Sequence, residues 1–151
     1  MFSIRRASQT FREKRQSKCK SHVDLFLTKE HASLDSPTLR EYILSLTKRG
    51  EQKQESEQWE DAACVWRETL KVQEQYYGTR SHLDVARTLN NLAVAISREG
   101  DEENDFEVLT LFEEALEIRQ TTLGPGHEDV AETTNHLCLF LRNVQERNLP
   151  C

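Results

Sequence analysis

His82-Leu83-Asp84-Val85-Ala86-Arg87-Thr88-Leu89-Asn90-Asn91-Leu92 comes back 45 residues later as His127-Glu128-Asp129-Val130-Ala131-Glu132-Thr133-Thr134-Asn135-His136-Leu137. His, Asp, Val, Ala, Thr, Asn and Leu recur in the same order. A repeat of this length is the sequence sign of an array of stacked units. Within the first copy, Val85, Leu89, Leu92, Ala93 and Ile96 recur with helical spacing and form one apolar face. The second copy offers Val130, Leu137, Cys138, Leu141 and Val144. Helices are therefore expected over about 84–98 and 129–145.

Two further helices lie before and between these copies. Trp59, Ala62, Ala63, Trp66 and Leu70 keep a helical spacing that ends at Tyr76-Tyr77-Gly78, with Gly78 suited to a left-handed helix end. Val108, Leu109, Phe112, Ala115 and Leu116 do the same before Leu123-Gly124-Pro125-Gly126. Laid over each other, the two segments match Trp66 to Phe112, Thr69 to Ala115, Leu70 to Leu116 and Gly78 to Gly124. Large and small residues at fixed places are what interlocking helix pairs require. Upstream, Ser36-Pro37 reads as an N-cap followed by Pro in the first turn, and Leu39, Ile43 and Leu46 share a face. No segment alternates with period two, so no strand is expected.

Composition fits such an array. Apolar residues make up 36% and charged residues 30%, a balance suited to units that bury only the faces they share. No run approaches the about 18 apolar residues that read as a membrane helix. The N-terminus lacks the apolar core of a secretory signal. The net charge of −6 divides unevenly. Residues 1–20 hold seven Lys/Arg and one acid, Glu13, for +6; the remainder holds 13 basic and 25 acidic residues, for −12. The expected organisation is a basic, disordered arm at 1–22, a helical repeat domain at 23–146 with a short covering helix near 23–33, and a polar tail at 147–151. Cys19, Cys64, Cys138 and Cys151 form no Cys-x-x-Cys pair and have no zinc-ligand spacing. Cys64 and Cys138 fall within helical patterns as small apolar residues. This usage reads as a reducing, intracellular compartment.

The combination resembles the tetratricopeptide repeat, in the longer variety of the kinesin light chain. The residues that carry the resemblance are Val85-Ala86-x-Thr88-Leu89-Asn90-Asn91-Leu92-Ala93, Gly100, Glu114-Ala115-Leu116-Glu117-Ile118-Arg119, and Leu123-Gly124-Pro125-x-His127-x-Asp129-Val130-Ala131. It spans about residues 58–142. It implies an all-α fold, a short right-handed α-solenoid of antiparallel helix pairs, with about two and a half repeats in this sequence. Three departures stand out. The Gly100–Phe112 segment is about three residues long for the family, so its turn should bulge. Val108 replaces a small Ala. Arg49 and Lys53 fall near positions that are usually apolar.

Chemistry is scarce. There is no glycine-rich phosphate loop and no His-Glu-x-x-His. His82 and His127, each two residues before an Asp, read as helix starts, with the Asp in the first turn favoured by the dipole. No catalytic residue, metal site or cofactor is expected. The resemblance implies instead a non-catalytic interaction module that holds a peptide or partner helix in a concave groove. Carried over by position, the groove would use Arg87, Asn90, Asn91, Val94, Arg98, Asn135, His136, Leu139 and Arg142. Asn is a poor residue for a helix interior, so Asn90 and Asn135 at one repeat position ask for a reason. They either hold a ligand backbone, since an amide both donates and accepts, or bond between neighbouring helices. Arginines suit acidic side chains or a terminal carboxylate. The basic arm has only Phe2 and Phe11 for stacking, and the body repels phosphate, so neither nucleic acid nor membrane is an expected partner. A cytoplasmic location is expected. The alternative is a structural fragment, or a chain that self-associates through its open C-terminal repeat.

Overall fold

The structure, a computed structural model, describes residues 36–148. The arm and the 23–33 helix lie outside the described residues. Five helices follow one another: α1 (Ser36–Glu55), α2 (Trp59–Tyr77), α3 (Leu83–Glu99), α4 (Asp105–Leu123) and α5 (Glu128–Arg147). A short 3-10 turn, Glu102–Asn104, lies between α3 and α4. It absorbs the extra residues of that segment, which is the bulge expected there. No strand occurs among the described residues.

Successive helices run antiparallel, as the contacts between their ends show. Lys53 near the end of α1 meets Asp61 at the start of α2, at 2.9 Å. The Tyr77 hydroxyl at the end of α2 donates to the carboxylate of Asp84 at the start of α3. Arg147 at the end of α5 forks onto Asp105 at the start of α4, at 2.8 and 2.9 Å, and reaches the Gly100 carbonyl. The helix ends follow the sequence signals. Gly78 closes α2 at φ 65°, ψ 10°, the left-handed conformation a Cβ disfavours. Gly124 closes α4 at φ 88°, ψ 157°, a region essentially restricted to glycine.

The starts of α3 and α5 differ from expectation in one respect. The acceptor that caps each helix is the imidazole rather than the neighbouring Asp. His82 Nδ1 accepts from the Asp84 amide at 3.2 Å, and His127 Nδ1 accepts from the Asp129 amide at 3.1 Å. A ring nitrogen held in this way satisfies one of the free amides of the first turn. The His82 ring also stacks on Tyr77, 3.7 Å between centroids.

The core runs through all the shared faces. Val85, Ala86, Leu89, Leu92, Ala93 and Ile96 of α3 are buried against Ala62, Ala63 and Trp66 of α2 and Val108, Phe112 and Ala115 of α4. Trp66 is 0% and Phe112 1% exposed, so both equivalent anchors fill the interior. On α1, Leu39, Ile43 and Leu46 are buried, each 46 residues before the buried Val85, Leu89 and Leu92. The α1–α2 pair therefore repeats as α3–α4. Arg49 and Lys53, out of place by family pattern, are matched by acids of α2: Arg49 pairs with Glu68 at 3.3 Å and Lys53 with Asp61.

Two cysteine expectations are corrected. Cys138 is an exposed thiol, because α5 buries Phe140 and Val130 instead and turns Cys138 and Leu141 outward. Cys64, half-buried on α2, is disulfide-bonded rather than a free apolar residue.

Burial pushes the Tyr77 hydroxyl up to about 12, helped by its bond to Asp84 and the charge of that carboxylate. Burial and the bond to Glu68 raise Tyr42 as well. A raised tyrosine value means the protonated form is favoured in the folded chain. The stability it brings is complete below the ordinary value of 10 and is lost as pH rises through about 12. Melting temperature is expected to hold from neutrality to about pH 10 and then fall. Tyr77→Phe should melt lower at neutral pH and show a shallower alkaline fall. An alkaline fall of unchanged slope in Tyr77→Phe would remove this residue from the account.

Candidate functional site

The first helices of the pairs, α1, α3 and α5, lie side by side and present one surface. Gln54 of α1 donates to the Asn91 carbonyl of α3 at 3.4 Å. His136 Nδ1 of α5 and Asn90 Oδ1 of α3 are 3.2 Å apart, and with an amide oxygen as acceptor the imidazole is the donor. Side chains three and four residues apart share one side of a helix. Arg87, Asn91, Val94 and Arg98 therefore make a single stripe along α3. Its repeat equivalents on α5 are Glu132, His136, Leu139 and Asn143.

The nine residues singled out from the sequence fall into two sets. Arg87, Asn91, Val94 and Arg98 lie on the stripe with His136 and Leu139. Asn90, Asn135 and Arg142 lie on another side of their helices. Asn90 is 1% exposed and spends its amide oxygen on His136. Its amide is used between helices, the second of the two roles open to it. Asn135, one repeat on, is exposed together with Arg142, which lies 3.9 Å from Glu146. Asn90→Ala is expected to lower the melting temperature, with a loss of about 1 kcal/mol after the better helix propensity of Ala is counted. Asn135→Ala should leave it unchanged or slightly higher. Equal effects at the two positions would contradict this division.

Each stripe residue has a distinct setting. Arg98 holds its guanidinium 5.7 Å from the centroid of the Trp59 ring, a cation–π arrangement that fixes a side chain which stays exposed. Val94 is half-buried against the core, and Leu139 is 38% exposed. Arg87 is exposed and makes no ion pair or hydrogen bond among the described residues. The repeat explains why. Glu132, its equivalent, is held at 2.9 Å by Arg119, a buried side chain that also donates to the Asp129 carbonyl and the Thr133 hydroxyl. The residue in the place of Arg119 one unit earlier is Gln73. It donates to the Asp84 carbonyl at 3.4 Å and brings no charge. Among the described residues Arg87 has no carboxylate opposite it, and its guanidinium is exposed.

The α1 share of this surface was missed from sequence. The shift of 46 that carries Leu39, Ile43 and Leu46 onto α3 places Glu41, Ser45, Lys48 and Gln52 on the same stripe, and all four are exposed. The signal was in the sequence once the pair containing α1 was aligned. Among the described residues no group of three or more His, Cys, Asp or Glu is placed to hold a metal ion. No helix there is long and apolar enough to cross a membrane.

Fold and surface together define an all-α protein of repeated antiparallel helix pairs, with the first helix of each pair sharing one face. Residues 85–129, from α3 to the start of α5, match the family model of the tetratricopeptide repeat, so the chain carries a tetratricopeptide repeat there. The length of the match is consistent with the longer, kinesin-light-chain-like variety. Such repeats generally mediate contacts between proteins and are typically non-catalytic. No curated protein matches the chain.

Proposed function

We propose that the shared face of α1, α3 and α5 binds an extended peptide segment of a partner protein. The observation that carries this reading is Arg87, an exposed guanidinium at the start of the α3 stripe with no ion-pair or hydrogen-bond partner among the described residues. Asn91 stands one turn on to bond a peptide backbone. Val94 and Leu139 offer apolar contact, and Arg98 is held ready by Trp59. A carboxylate on the peptide would supply the partner that Gln73 does not. No cofactor takes part, and the role is that of a non-catalytic interaction module. Asn90 has a place in this reading as a spacer that fixes α3 against α5, not as a contact.

The test is a peptide selected from a random library on the full chain, with affinity measured by calorimetry. Arg87→Ala should weaken it by about 0.5–1 kcal/mol in low salt and by less in high salt. Lys71→Ala, exposed on α2, should leave it unchanged. Equal losses from the two variants, or none from Arg87→Ala, would sink the assignment.

A further inference from the structure

The side of α5 that carries Asn135 has a counterpart inside the fold. On α3 the corresponding residues are Ala86, Leu89, Asn90, Ala93 and Ile96, all buried at 2% exposure or less. On α5 they are Ala131, Thr134, Asn135, Cys138 and Leu141, and all five are exposed. Leu141 is 46% exposed, a large apolar side chain in open water. Among the described residues no helix covers this face. It continues the interface that the chain already makes once.

We propose that a second copy of the chain docks here, α5 against α5 of the copy in an antiparallel crossing centred on Cys138. The choice of occupant rests on charge. The sequence after residue 20 carries 25 acidic and 13 basic residues, so a partner chosen by the charge of this body would be basic. The five residues of the face offer such a partner no carboxylate. A neutral face meets a copy of itself without like charges opposed, which a two-fold contact between acidic chains requires. Its polar members are self-complementary, because the Asn135 amide both donates and accepts. Arg142, beside the face, would lie opposite Thr134 and Asn135 of the copy, where oxygen acceptors wait. Of the acids near this side, Glu146 lies 3.9 Å from Arg142 and Glu132 is held by Arg119, while the exposed Glu128 stands at the first residue of α5, away from a crossing centred on Cys138. Thr134 where α3 has Leu89 makes the contact less apolar than the core, which fits a reversible dimer rather than an obligate one. The contact leaves Arg87, Asn91 and Val94 free, so it is independent of peptide binding.

Sedimentation velocity on the full chain tests this over a concentration series. The wild type should pass from monomer to dimer with a midpoint on the order of 10–100 µM. Leu141→Glu and Thr134→Glu should each weaken association by about tenfold or more. Both positions are exposed, so circular dichroism should show folded variants; should Leu141→Glu fail to fold, Thr134→Glu alone decides. Arg87→Glu should leave the midpoint unchanged. Raising salt from about 50 to about 500 mM should leave association as strong or stronger, since only repulsion between acidic copies is screened. A monomer throughout the series would overturn the proposal. So would a dimer untouched by the folded variants, or one that salt dissolves, as a basic arm on an acidic body would be.

Discussion

Trp66→Ala is expected to cost about 3–5 kcal/mol, and Phe112→Ala about as much. Each ring is fully enclosed, at 0% and 1% exposure; Trp66 lies against Gly50 of α1, and the Phe112 ring lies 6.2 Å from that of Phe140 on α5. Removing either leaves a cavity between two rigid helices, which relax only in part. A domain of this size holds about 5–15 kcal/mol in all, so one such loss takes a large share of it. In a stacked array the loss falls on an interface that neighbouring units depend on. Chemical denaturation followed by circular dichroism reads the effect. A wild-type midpoint in either variant would show that these rings do not hold the pairs together.

Gly50→Ala is the second large effect, and its sign is unusual. In a helix interior this change normally stabilises by about 1 kcal/mol. Here a Cβ on residue 50 would sit 2.7 Å from Cε2 and Cζ2 of the Trp66 indole. The ring is rigid and has no room to retreat. A net loss of about 1–3 kcal/mol is expected, the range for overfilling a packed core. The repeat supplies the control. In the next pair the same two places hold Ile96 and Phe112, a larger residue against a smaller ring. Trp66→Phe should therefore recover much of the stability lost in Gly50→Ala. Purely additive effects in that double-mutant cycle would deny the contact.

These two predictions also show how much could be read beforehand. The repeat at His82 and His127 located α3 and α5, and the match of Trp66 to Phe112 located the core of the pairs, because burial leaves large residues at fixed spacing. Gly50 gave no such signal. A glycine within a polar helical stretch has no pattern of its own, and its meaning comes from a ring sixteen residues later. The same is true of Arg49 and Lys53, whose acids lie on the facing helix. For the proposed site, Arg87, Asn91, Val94 and Arg98 were singled out through the family resemblance, and helical spacing puts the four on one stripe. Asn90 and Asn135 were not separable, because identical residues in identical repeat positions differ only in what covers them. Asn90 lies under α5, and Asn135 is exposed. The histidine caps were legible as helix starts, but the sequence pointed to the adjacent Asp as acceptor, and only the ring orientation corrected it.

The surface proposed to receive a peptide is the one shared by α1, α3 and α5. Hydrogen exchange and backbone amide chemical shifts, recorded with and without a library-selected peptide, test it most directly. Shifts and added protection are expected to concentrate at Lys48 and Gln52 of α1, Arg87, Asn91 and Val94 of α3, and Leu139 of α5, with α2 and α4 little changed. Perturbations confined to α2 and α4, or to the Ala131–Leu141 side of α5, would contradict it.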